Sequence, residues 1–221
     1  MAAQKEDYIH KISDSESITK KEKSEITAEK AKTDVEKSVN SGIIEFEKGV
    51  TQAVQENFTD EFEKMQDKFG KITTISRVGI LNSKNSLDYG EFYDNSGELL
   101  LRFANKKNAL SEHAQKAQEM NKSDKWSSAH PLHTLRHEIG HAIQLEHRLN
   151  DPLWDDKLEQ IRAIMMSLPE FNNSEFQGKY SVSKYAMKNL DEFISECIAE
   201  SISKKSSSTA KQVAKIIIGG D

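Results

Sequence analysis

The stretch 133-HTLRHEIGHAIQLEHRL-149 decides how this chain is read, because it carries His137-Glu138-Ile139-Gly140-His141, an H-E-x-x-H sequence inside a helical pattern. A spacing of four turns a helix by about 400°, so both imidazoles leave one face about 6 Å apart along the axis, as two ligands of one tetrahedral ion require. Glu138 lies beside them, near the position such an ion leaves open, where a carboxylate can act on a bound water. With 7 His and 23 Glu in 221 residues, a shuffled chain would contain the pattern only ~0.02 times. Pro131 suits the first turn of this helix, which is expected to run to about Leu149.

A site built on two histidines needs a third protein ligand, and three sources compete. His147 lies ten residues after His137, the metzincin interval, but Gln144 occupies the position where that arrangement needs a glycine to turn the chain back. If the helix simply continues, His147 stands about 9 Å beyond His141 along the axis and on another face. Asp151 and Asp155 lie just beyond. The third source is the helix expected over residues 184–204, where Glu192, Glu196 and Glu200 repeat every four residues among Phe193, Ile194, Cys197, Ile198 and Ile202. Acids so close to core residues are paired, hydrogen-bonded or metal-bound, unless the stripe faces solvent.

The run Tyr185-Ala186-x-x-Asn189-x-x-Glu192-Phe193-x-x-Glu196 resembles the glutamate helix of the gluzincin metallopeptidases, especially the anthrax lethal factor-like peptidase domain and zincin-like domains of bacterial toxins and phage proteins. The resemblance covers residues 137–141 and 185–196 closely and the interval between them only by spacing. It implies that Glu192 is the third ligand of one Zn²⁺ with His137 and His141, that Tyr185 is a phenol facing the substrate carbonyl, and that Glu196 stands behind the ligands. Where the family has Phe-Phe-Ala, this chain has Phe193-Ile194-Ser195, which changes packing residues and leaves the chemical ones in place. The implied fold is α+β, a zincin-like domain in which a small twisted sheet packs on the H-E-x-x-H helix and the glutamate helix, with an N-terminal helical extension.

Composition agrees with rigid helices: 10 Gly and 3 Pro make about 6% of the chain. Residues 1–41 contain 17 Asp, Glu or Lys and neither Gly nor Pro, which reads as a charged helical or partly disordered arm that may be solvated or may bind a protein partner as a coiled coil. From 42 to 70, Ile43, Phe46, Val50, Val54, Phe58, Phe62, Met65 and Phe69 recur every three or four residues, the pattern of an amphipathic helix leading into the domain, with a possible interruption at Asn57 to Asp60. The peptidase domain is expected over 71–221. Within it, 72–81 reads as a strand, 91–103 as a hairpin turning at Asn95-Ser96-Gly97, 105–130 as irregular or weakly helical, and Pro152 to Leu168 as a helix. Residues 172–183 read as a loop and IIIGGD as a short tail. Either 98–103 or 91–94 is expected to offer an edge strand to an extended substrate.

The remaining candidates have plainer expectations. His133 is read as a cap or structural histidine, Tyr180 as an alternative phenol, and Trp126, Trp154, Met165, Met166 and Cys197 as core residues. One cysteine excludes an internal disulfide and a cysteine zinc ribbon. A net charge of −5 with both signs interspersed argues against a nucleic-acid partner, and so against a DNA-associated H-E-x-x-H protease. The opening MAAQKEDYIHK lacks the apolar run of a signal peptide and no window reaches the length of a membrane span, so the chain reads as soluble with no membrane partner and its compartment unassigned. The expected function is a zinc metalloendopeptidase acting on peptide or protein substrates, with Glu138 as general base and Tyr185 stabilising the oxyanion. The alternative is a phage-head or toxin-associated structural or interaction protein that keeps the fold with little or no turnover.

Overall fold

The structure is a computed structural model that describes residues 44–83, 89–173, 175–203 and 205–219. The charged arm expected over 1–41 lies outside the described residues. The rest is α+β: strand β1 (Glu45–Phe46), helix α1 (Gln52–Phe69), strands β2 (Arg77–Ile80), β3 (Gly90–Tyr93) and β4 (Glu98–Leu101), then helices α2 (Ala109–Lys122), α3 (His133–Asn150), α4 (Trp154–Ser167), α5 (Leu190–Ser201) and α6 (Ser208–Ile218). No helix among the described residues is long and apolar enough to cross a membrane.

The four strands form one mixed sheet in the order β1-β2-β4-β3. β1 and β4 run parallel to β2, while β3 pairs antiparallel with β4 in the register Gly90↔Leu101 to Tyr93↔Glu98. The expected hairpin is therefore present, and its turn depends on Gly97. That residue has φ +70, its N–H donates to Tyr93 O at 2.8 Å, and a Cβ there would stand 2.5 Å from Thr74 O. Val78, Leu99 and Leu101 are buried against the helices. There they join Phe58 and Phe62 of α1, Ile139 and Ile143 of α3, Phe193, Ile194 and Ile198 of α5, and Val213 and Ile217 of α6 in one core.

Several elements differ from expectation. The helix expected over 42–70 begins at Gln52, and Glu45–Phe46 is a strand beside β2. Phe46 satisfied the helical spacing because a strand packed edge-on to Phe58 (ring centroids 5.7 Å apart) meets the same core. Asn57 to Asp60 do not interrupt α1, where the side chain of Asn57 donates to Ala53 O at 2.7 Å. Nor is α1 a lead-in: Val54, Phe58, Phe62, Met65 and Phe69 are buried in the same core as everything after residue 71. The strand expected over 72–81 is confined to 77–80. Residues 73 and 74 instead dock on α3, their backbone N–H groups donating to Glu146 at 2.6 and 3.1 Å. Helix α2 replaces the irregular stretch, the last long helix starts at Leu190 and not at Lys184, and the apolar IIIG closes α6, ending at Gly219 with φ +78.

The elbow between α3 and α4 is organised by Asp151. Its Oδ1 accepts from Leu153 N–H at 2.9 Å, and its Oδ2 meets Lys157 Nζ at 2.8 Å and His147 Nδ1 at 3.2 Å. The Lys157 ammonium, against the opposing effect of burial and helped by Leu153 N–H and His147, holds this carboxyl at about 2. A carboxyl depressed on folding stabilises fully above its ordinary value of 3.8, and the stabilisation disappears as pH falls through about 2. Asp151→Asn is therefore expected to cost on the order of 1 kcal/mol at neutral pH and nearly nothing near pH 2. Urea midpoints across that range test it, and a cost independent of pH would refute the assignment.

Candidate metal centre

Helices α3 and α5 make the centre by approaching closely. A Cβ on Gly140 would stand 3.1 Å from Ser195 Cα and 3.2 Å from Ser195 O, so the two backbones meet where α3 carries no side chain. One turn on, Gln144 Nε2 donates to Asp191 O at 3.0 Å and to Ser195 Oγ at 2.8 Å. Asn189 caps α5 by accepting from Glu192 N–H at 2.8 Å, which puts Glu192 in the first turn, facing the histidines.

The result is a triangle of three ligand atoms. His137 Nε2 lies 3.0 Å from Glu192 Oε2, His141 Nε2 lies 3.5 Å from the same oxygen, and the two nitrogens are 3.2 Å apart. Atoms held at about 2.0–2.2 Å around a tetrahedral ion stand about 3.3–3.6 Å from one another, so the set fits Zn²⁺ with slight opening. Glu192 Oε2 is buried without an aligned hydrogen bond among the described residues. Burial opposes ionisation of Glu192, but His137 and His141 hold its carboxyl well below the usual range. Burial likewise opposes a charged His137, yet Glu192 and Glu196 push it up to about 10. Positive charge is demanded between these groups, and two imidazoles with a carboxylate are a donor set suited to zinc.

A second group, His133, His137 and Glu196, also has metal-ligand spacing. Its carboxylate is already saturated: Glu196 Oε2 accepts from Ser127 N–H at 2.7 Å and Ser183 O–H at 2.8 Å, and Oε1 meets His133 Nε2 at 2.9 Å. Burial works against the Glu196 anion, but His133 and His137 hold it well below the usual carboxylate range. Oε1 also stands 3.0 Å behind His137 at Nδ1, close but not aligned as a hydrogen bond. Glu196 thus backs the ligand cluster, as a carboxylate does behind a metal-binding imidazole.

Glu138 is buried on the wall of an open cleft of about 440 Å³ that also exposes His137, His141 and Glu192. Burial raises its carboxyl, with Glu192 and Glu91 adding to the rise and the two histidines opposing it. Strand β3 forms the opposite wall, and at Gly90 its backbone comes so near that a Cβ would meet Glu138 Cγ and Thr134 Cγ2 at 2.7 Å. β3 is the sheet edge, whereas residues 98–101 lie inside the sheet between β2 and β3. Of the two stretches expected to offer an edge, only 91–94 does.

Tyr185 lines the cleft but precedes α5 in a turn tied down by Lys184 N–H to Asp124 O (2.7 Å) and Tyr185 N–H to Lys125 O (3.1 Å). Its ring packs edge-on to His137 at 5.5 Å, and burial, with Glu192 and Glu138 beside it, raises the phenol above its usual range. Tyr180 packs against Phe176 and does not line the cleft. His147 stacks on Trp154 at 5.3 Å, and neither it, Asp151 nor Asp155 belongs to a metal-competent group among the described residues. Glu200, the last acid of the stripe, accepts from Ser207 N–H and O–H at 2.7 and 2.9 Å. His133 makes no helix cap, and Met166 is exposed while Met165, Trp126, Trp154 and Cys197 are buried.

Gly90, Ser127, Ser183 and the contact of His133 with Glu196 escaped sequence reasoning. Each meets the centre from far along the chain, and the chain's own hint was limited to His133 repeating the four-residue spacing ahead of His137. Comparison with known proteins finds no matching family model, curated protein or solved structure.

The approach of the two helices can be tested at Gly140. Overpacking of about 1–3 kcal/mol set against about 1 kcal/mol of helix propensity predicts that Gly140→Ala loses about 1 kcal/mol net, and Gly140→Val more. Urea unfolding measures both. A stabilised Gly140→Ala would show that the helices do not meet there.

Proposed function

We propose that this protein is a zinc-dependent metalloendopeptidase with a zincin-like fold, hydrolysing peptide bonds in protein substrates. The observation that carries the proposal is the triangle of His137, His141 and Glu192 opening onto a cleft beside the buried carboxyl of Glu138. The resemblance of the two ligand-bearing segments to gluzincins supports the same reading.

His137, His141 and Glu192 would hold one Zn²⁺, which supplies Lewis acidity and brings the pKa of a coordinated water to about 7. Glu138 takes a proton from the attacking water and later returns it to the leaving amine. Its raised carboxyl suits both halves of that exchange, since a base useful near neutrality must also be able to give the proton back. Tyr185 keeps its phenolic proton because its pKa is raised, so it remains a donor toward the developing oxyanion. The free edge of β3 offers backbone N–H and C=O groups to an extended peptide along the cleft, holding it with little dependence on its side chains.

The expected outcomes are concrete. The zinc-loaded protein cleaves casein, a chelator stops cleavage, and added zinc restores it. Glu138→Gln retains one zinc per chain and loses about 10²–10⁴ of turnover. Undiminished proteolysis by Glu138→Gln would remove Glu138 as the base. A wild-type protein that binds zinc yet cleaves nothing would point to a structural or interaction role.

A further inference from the structure

His133 is fully buried and has no part in the chemistry described above. Its ring stacks on Trp126 with centroids 4.9 Å apart and planes at 28°. Ser128 Oγ lies 3.2 Å from its Nδ1, and its Nε2 lies 2.9 Å from Glu196 Oε1. An ionised carboxylate only accepts, so Nε2 carries the hydrogen and Nδ1 is left to accept from the Ser128 hydroxyl. The other oxygen of Glu196 is engaged by Ser127 and Ser183. Every hydrogen-bonding direction around this carboxylate is therefore assigned except the one in which Oε1 faces Nδ1 of His137 at 3.0 Å.

That contact sets the orientation of a ligand. His137 Nδ1 is buried and has no aligned hydrogen bond among the described residues, so the Glu196 oxygen behind it is the polar group that decides how the ring stands. Without a donor from His133, Glu196 could rotate about its last bonds, because the remaining donors both grip Oε2.

We propose that His133 is a positioning residue of the metal centre: by donating from Nε2 to Glu196 Oε1 it holds that oxygen against Nδ1 of His137 and so aims Nε2 of His137 at the ion. The inference rests on the zinc-centre reading and adds a residue outside the ligand set. It requires no catalytic turnover, so metal binding tests it directly.

The experiment measures zinc affinity of the full chain by competition with a chromophoric chelator, for wild type, His133→Gln, His133→Asn, His133→Leu, Glu196→Gln and the double variant His133→Leu/Glu196→Gln. Glutamine can place an amide N–H near the position of Nε2, asparagine is too short to reach Glu196, and leucine fills the volume without a donor. Affinity is expected to fall about 10–100-fold in His133→Asn and His133→Leu and to stay near the wild-type value in His133→Gln. The double variant should be no weaker than the weaker single, because both changes break one link. Should leucine prevent folding, the asparagine and glutamine pair still decides. Equal affinity across the His133 variants, or additive losses in the double variant, overturns the proposal. Two zinc ions per wild-type chain overturns it as well, since His133 would then be a ligand. A wild-type chain that takes up no zinc overturns the zinc-centre reading itself, and the inference with it, before any variant is compared.

Discussion

The whole centre depends on two helix backbones meeting at Gly140 and Ser195. Side chains at a helix contact normally keep axes about 8–10 Å apart, and a larger residue at 140 would push α5 outward. Glu192 has a short reach from the first turn of α5, so any outward shift carries its carboxylate away from His137 and His141. Gln144 secures the approach one turn later through Asp191 O and Ser195 Oγ. It occupies the position where a metzincin pattern would have a glycine, and here α3 continues through it to Asn150. The third ligand consequently arrives from another helix, and His147 is left to the elbow with Asp151 and Trp154.

Three glutamates of one chemical type serve three ends because their surroundings differ. Glu196 is fully buried but surrounded by donors, so it remains an anion and orients its neighbours. Glu192 is partly exposed and faces two imidazoles, which favours the anion and leaves an oxygen free of aligned hydrogen bonds. Glu138 has burial without an aligned donor, so its carboxyl rises. Environments that push like groups apart are how one fold separates a ligand from a base. A buried carboxylate lacking compensation costs several kcal/mol, and three such acids around His137 are tolerable only where positive charge is held among them.

Much of this was legible from the chain, and the boundary is physical. The histidine pair follows from helix periodicity alone, because i and i+4 share a face whatever surrounds them. Glu192 lay among three possible sources of a ligand, and the resemblance of residues 185–196 to a glutamate helix selected it. Tyr185 was assigned to that helix, yet it sits in the preceding turn, since only backbone bonds to Asp124 and Lys125 reveal where the helix starts. Helix α2 was missed because its buried face is Ala109, His113, Ala117 and Met120, small or polar residues with a weak apolar signal. β1 was hidden by Phe46, which serves a helical stripe and a strand edge equally well. Ser127, Ser183 and Gly90 converge on the centre from separate loops and a strand, and such tertiary meetings leave no periodic trace.

The placement of β3 shows why a glycine is needed beside the base. A sheet edge can template an extended peptide only if it borders the reacting centre, and β3 borders it because it pairs antiparallel outside β4 rather than continuing the parallel order of β1, β2 and β4. At Gly90 the strand passes Glu138 closely enough that even a methyl group would collide with Glu138 Cγ and Thr134 Cγ2. The same missing side chain that lets the edge approach also packs backbone against the base and removes water from one side of its carboxyl. The groups that would hold a peptide and the burial that raises Glu138 therefore have one structural cause, so a change at Gly90 cannot alter one without the other.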